Sequence, residues 1–162
     1  MAAIATHDIP NDIQQEVNSV LGQTCCRQHV DNDRSLFLGF GEIVFVKNPK
    51  GTAPHGKWEV GTYRSAWRMI ENHRIVCGSK EAVDSVDELR QKLARLDGAK
   101  CTRILMITEF DVRVEFDRGF CVDFIGVFGD DDEVFHIFLP QGRVVSLTIR
   151  GEWDSQDGIL AS

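Results

Sequence analysis

Two thiols and an imidazole stand close together at Cys25, Cys26 and His29, residue types that bind soft transition metals. A closed zinc site takes four ligands, commonly as two separated pairs, and no second pair follows at a matching spacing, so neither a metal nor a cofactor is expected. Cys77 and Cys121 are the other candidate nucleophiles, but a working thiolate needs a neighbouring base or a helix N-terminus. Both lie in apolar, strand-like stretches and read as core packing. His136 alternates with Val134 and Phe138 in an apolar run and reads as a satisfied core histidine rather than a general base, while His55 and His73 fall in turn-like segments and read as solvated. The densest carboxylate cluster is Asp130-Asp131-Asp132-Glu133, after Gly129. It lacks the alternating ligands, central Gly and final Glu of a calcium loop, which leaves a solvated loop or an acidic knob for a protein partner. Gly39-Phe40-Gly41 is not continued at dinucleotide-fold spacing, and no phosphate-loop, HExxH, GxSxG or kinase pattern occurs. No residue is given a catalytic role, and an enzyme is not expected.

The elements that must position these residues are easier to read. Residues 100–149 form a run of antiparallel strands, with two joints, Phe116-Asp117-Arg118-Gly119 and Leu139-Pro140-Gln141-Gly142, that end in Gly and predict tight hairpins. Val112, Val114 and Phe116 alternate with Asp111, Arg113, Glu115 and Asp117, which predicts a strand with one wet face. Residues 134–139 are apolar almost throughout and predict cover on both faces. Upstream, Ile13, Val17, Val20 and Leu21 share one face of a predicted helix over 9–21, started near Pro10 and stopped by Gly22. Residues 36–46 predict a long strand, bulged at Gly39 and Gly41. Residues 47–57, with Pro49, Gly51, Pro54 and Gly56, predict a loop. Short strands follow over 58–63, 66–70 and 74–77, the last two joined by a turn at Asn72-His73. Ser85-Val86-Asp87-Glu88 matches a capping box for a helix over 86–97, with Val86, Leu89, Leu93 and Leu96 on one face and Gly98 as its stop. Residues 150–162 predict a loose tail from which Trp153 docks. The expected fold class is α+β, with one antiparallel, strongly curved sheet of about seven or eight strands and two packed helices, in a single domain spanning 1–162.

The 162 residues are 43% hydrophobic and 27% charged, ordinary globular values, and no stretch reaches the roughly 20 apolar residues that span a bilayer. No basic-then-apolar leader opens the chain, and five scattered Cys fit a reducing cytosol, so a cytoplasmic location is expected. The formal charge of −7 argues against direct binding of nucleic acid and is compatible with a basic protein partner.

Trp58-Glu59-Val60-Gly61-Thr62-Tyr63, then Ala66-Trp67-Arg68, then Ile75-Val76-Cys77-Gly78-Ser79, are followed by an acidic amphipathic helix. This pattern, extended over 58–149, resembles small bacterial immunity partners of polymorphic toxin and contact-dependent inhibition systems. The resemblance implies a cytosolic antidote that binds one cognate toxin domain and blocks its active site or substrate approach, and it implies no catalytic residue. A toxin that cuts nucleic acid presents a basic cleft, to which an acidic inhibitor is steered. On that footing the contact residues are Asp130, Asp131, Asp132 and Glu133 first, and Asp111, Glu115 and Asp117 second. The alternative, of another class, is a small-ligand-binding or enzymatic domain that closes residues 47–57 as a lid over a pocket near Trp58, Tyr63, Arg64 and Arg68.

Overall fold

The computed structural model describes residues 8–127 and 133–158. Their elements run α1 (Asn11–Asn18), β1 (Cys25–Val30), β2 (Leu36–Asn48), β3 (Gly51–Thr62), β4 (Ala66–Glu71), β5 (Arg74–Gly78), α2 (Val86–Leu93), β6 (Cys101–Thr108), β7 (Asp111–Phe116), β8 (Phe120–Ile125), β9 (Glu133–Phe138), β10 (Arg143–Thr148) and β11 (Trp153–Asp157). These eleven strands make two antiparallel sheets, ordered β1-β2-β3-β9-β10-β11 and β5-β4-β8-β7-β6. The α+β class and the antiparallel pairing hold, but the single curved sheet of seven or eight strands does not. The run over 100–149 is divided: β6, β7 and β8 form a meander in the second sheet, whereas β9 and β10 belong to the first. A period of two tells which side of a strand is buried, not which sheet the strand joins.

The inward faces of the two sheets meet in one core. Leu36, Leu38 and Phe40 of β2, Val60 of β3, and Phe135 and Ile137 of β9 point in from the first sheet, against Trp67, Met69, Val114, Val122 and Phe124 of the second. Phe124 meets Phe135 edge-on at 5.2 Å between ring centres, and Phe40 stacks on Phe116 at 5.8 Å. The sheets do not lie edge above edge. β6 starts beside β1, through the bridge between Thr24 and Lys100, and by Met106 it has reached Trp153 of β11, so it crosses the end of the first sheet.

The helices close what this crossing leaves open. α1 buries Ile13 and Val17 and packs on β6, β10 and β11, fastened by Glu16, which accepts from Ser155 Oγ at 2.7 Å and from Arg143 Nε at 3.1 Å. α2 packs on β1 and β5 with Leu89 and Leu93 buried, and a 3₁₀ turn over Ala94–Leu96 continues it. Its cap Ser85 accepts from Asp87 N–H at 3.2 Å.

Two expectations of irregular backbone fail. Residues 47–57 are not a loop. β2 and β3 run on past the sheet as a two-stranded arm over 42–56, turned by Pro49-Lys50, with the Asn48 side chain accepting from Lys50 N–H at 2.8 Å. Pro54 is tolerated because β3 has no neighbour on its other side there among the described residues; β9 joins it only from Glu59 onward. The tail is not loose either: Trp153–Asp157 pairs with β10 as an edge strand, and Trp153 packs against the core as expected. The turn at Asn72-His73 does form, with both residues at positive φ, 47° and 67°, in the left-handed pattern that two-residue hairpins favour.

Candidate functional site

Alternation sends Glu59, Gly61, Phe37, Gly39, His136 and Phe138 to the outer face of the first sheet, where Arg27 and His29 of β1 join them. In register across the ladder, one row reads Arg27, Gly39, Glu59, Phe138 and the next reads His29, Phe37, Gly61, His136. Glu59 and His136 are fully buried although they point away from the core between the sheets. The arm accounts for part of that cover. At Gly56 it lies so close to the backbone of Gly39 and Phe40 that a Cβ there would collide with both, so only Gly permits the bend. The bend aims the Gly56 N–H at Glu59 Oε1, at 2.7 Å, and brings His55, only 9% exposed, to 3.4 Å from the same oxygen.

Compensation for the buried carboxylate is incomplete. Arg27 reaches Glu59 Oε1 from β1 at 3.4 Å, across the empty place of Gly39, and Glu59 Oε2 has no hydrogen-bond partner among the described residues. Burial therefore pushes Glu59 up to about 7, against the pull of the Gly56 N–H and of Arg27. His55 moves the other way: burial first, then the charges of Arg27 and His29, hold it below its ordinary value, and neither ring nitrogen has a hydrogen-bond partner among the described residues. A carboxyl group that titrates near neutrality, a neutral imidazole and a guanidinium thus meet in one place, which is the equipment for giving or taking a proton near pH 7.

The adjoining row is aromatic. His136 lies 4.8 Å from the ring of Tyr63, 4.9 Å from Phe138 and 6.0 Å from Phe37. Its Nδ1 pairs with Glu133 and its Nε2 has no partner among the described residues, so the expected core histidine is buried but only half satisfied. Burial, and the charge of Glu133, raise the Tyr63 hydroxyl.

The outer face of the second sheet carries the opposite arrangement. Asp123 of β8 is fully buried between its two ladder neighbours, accepting from Arg68 Nε at 2.9 Å and from Arg113 Nε and Nη2 at 2.7 and 3.0 Å. Beside this clasp a depression of about 490 Å³ is lined by Arg113, Glu115, Cys121 and the turn residues Asn72 and His73.

The remaining expectations fall as follows. Asp130, Asp131 and Asp132 lie outside the described residues. Asp111 accepts from Thr108 Oγ1 at 2.8 Å and from Gly126 N–H at 3.0 Å, and Asp117 accepts from Lys100 N–H at 2.8 Å, so both carboxylates tie the backbone together. Among the described residues, Trp58, Tyr63, Arg64 and Arg68 are not brought together around one depression. Trp58 turns to Ser19, its Nε1 donating at 3.1 Å, Tyr63 faces His136, Arg68 clasps Asp123, and Arg64 borders a depression of about 220 Å³ with Asp33, Arg34, Ser79 and Lys80. Cys25 and Cys101 are core thiols that burial pushes up to about 12, Cys77 is raised by burial to about 11, and His29 pairs with Asp31 at 2.7 Å. Among the described residues no His, Cys, Asp or Glu group of three or more is arranged to hold a metal, and no helix is long and apolar enough to cross a membrane.

His55 corrects the expectation most sharply, since it is buried beside Glu59 rather than solvated. The sequence does not announce their meeting, because it depends on a bend at Gly56 that no local pattern shows. Comparison of the chain with models of known families, with curated proteins and with solved structures finds no match.

Proposed function

We propose that the chain is a protein-binding inhibitor of the immunity type, whose contact element is the arm over 42–56 and whose partner is a toxin domain. The observation that carries this reading is the side of the arm turned away from His55. There Phe45 is 72% exposed and Ile43 49% exposed, with Pro54 opposite Phe45 on the neighbouring strand. A protruding hairpin that holds an aromatic and a branched aliphatic side chain in water gains most when a partner covers them. The net charge of −7 suits a basic partner, and Glu115 together with Asp130, Asp131, Asp132 and Glu133 would steer its approach rather than anchor it.

The test is survival. The C-terminal domain of the product of the neighbouring upstream gene is expressed in a bacterial host, alone and with this chain, and surviving cells are counted; absence of toxicity counts against the inhibitor reading. The wild-type chain relieves the arrest. The pair Phe45→Ser and Ile43→Ser reduces relief by at least about tenfold, while fold stability changes by no more than about 1 kcal/mol. Toxicity that the wild type fails to relieve overturns the inhibitor reading. Full relief by the double variant overturns the assignment of the arm.

A further inference from the structure

The arm touches the sheet it leaves through one buried polar contact. Gly56 N–H donates to Glu59 Oε1, His55 Nδ1 lies 3.4 Å from the same oxygen, and three polar atoms of the contact, Glu59 Oε2 and both ring nitrogens of His55, have no hydrogen-bond partner among the described residues. The geometry points to a proton-operated latch, in which the arm over 42–56 rests on the first sheet while His55 is neutral and lifts when Glu59 and His55 have both taken up protons. The latch stands whatever the arm binds.

The groups facing His55 decide its direction. From β1 come Arg27 and His29, and the Cys26 thiol faces Glu59; from β2 comes Gly39, and across the ladder from Glu59 on β9 comes Phe138, neither with a charge. Glu59 supplies the negative charge at this contact. Burial makes it take a proton before His55 does, so on acidification the anion is lost first. His55 then becomes cationic beside the Arg27 guanidinium, and like charges in a partly dry site repel. The arm yields because, among the described residues, its strands pair only with each other, whereas β1 is bound into the sheet.

Hydrogen exchange on the full chain between about pH 8 and pH 5, corrected for the pH dependence of chemical exchange, reads this directly. Amides over 43–55 are expected to lose protection at least about tenfold on acidification, while those of β9 and β10 keep theirs. His55→Gln flattens the response of the arm, and His73→Gln, at the exposed turn, leaves it unchanged. Should His55→Gln not fold, the His55 ring titration followed by NMR in the wild type must share its midpoint with the loss of arm protection. Arm protection that is flat with pH, a loss spread over both sheets, a response retained in His55→Gln, or a separated midpoint each overturns the latch.

Discussion

Glu59 and Asp123 are both fully buried carboxylates on the outer face of a sheet, and they are treated in opposite ways. Ladder register makes the difference. Asp123 has an arginine directly opposite on each side, Arg68 on β4 and Arg113 on β7, and accepts three charge-assisted hydrogen bonds of 2.7 to 3.0 Å. Glu59 has Gly39 on one side and Phe138 on the other, so its cation must reach from one strand further away, and one oxygen is left without a partner among the described residues. The first carboxylate ties three strands together. The second is held at a standing electrostatic cost, which is the usual mark of a group kept for a purpose other than stability.

Removing each charge should therefore have opposite consequences. Asp123→Ala leaves two guanidiniums side by side without their anion and is expected to lower the free energy of unfolding by about 3 kcal/mol, a value already reduced because both arginines keep access to water. Urea denaturation measures it, and a loss below about 1 kcal/mol would show that the clasp is decorative. Glu59→Gln should stabilise. The folded-state value near 7 lies above the ordinary 4.5, so folding favours the protonated form, and the wild type loses stability as pH rises through that interval. The variant keeps the bond from Gly56 N–H and escapes this loss, gaining up to about 3 kcal/mol at pH 8 and almost nothing near pH 4.5. His55 works in the other sense: held below 6.5, it contributes stability that is present above that value and lost as pH falls. The stability optimum of Glu59→Gln should accordingly lie at higher pH than that of the wild type.

Much of the fold was legible, and the reason is local. Strand β7 shows its buried Val112, Val114 and Phe116 by alternation alone, and α2 shows its cap and its apolar stripe within one short segment. β11 was not legible because Trp153-Asp154-Ser155-Gln156-Asp157 has little strand propensity; it is held by β10 and by the link from Ser155 to Glu16 of α1, far away in sequence. The arm was missed because Pro49, Gly51, Pro54 and Gly56 each have a reason to be there that only the hairpin supplies. The candidate site was the least legible part. Arg27, His55 and Glu59 come from separate stretches, and the wet or buried state of an outward-facing residue depends on what folds over it.

Arg27 offers the finest test of the difference between the two carboxylates. It is a single contact at 3.4 Å, longer than any bond at Asp123, and its side chain is only partly buried, so its contribution to stability is small, about 1 kcal/mol or less. Its charge acts on both titrating neighbours, lowering Glu59 and lowering His55. Arg27→Leu should therefore raise the midpoints of both groups, Glu59 further above 7 and His55 back towards 6.5, and NMR titration of the two side chains reads each separately. A rise in only one of them would mean that Arg27 faces one group and not the pair. If neither moves, burial alone sets the site, and Glu59 differs from Asp123 by dryness rather than by the distance of its cation.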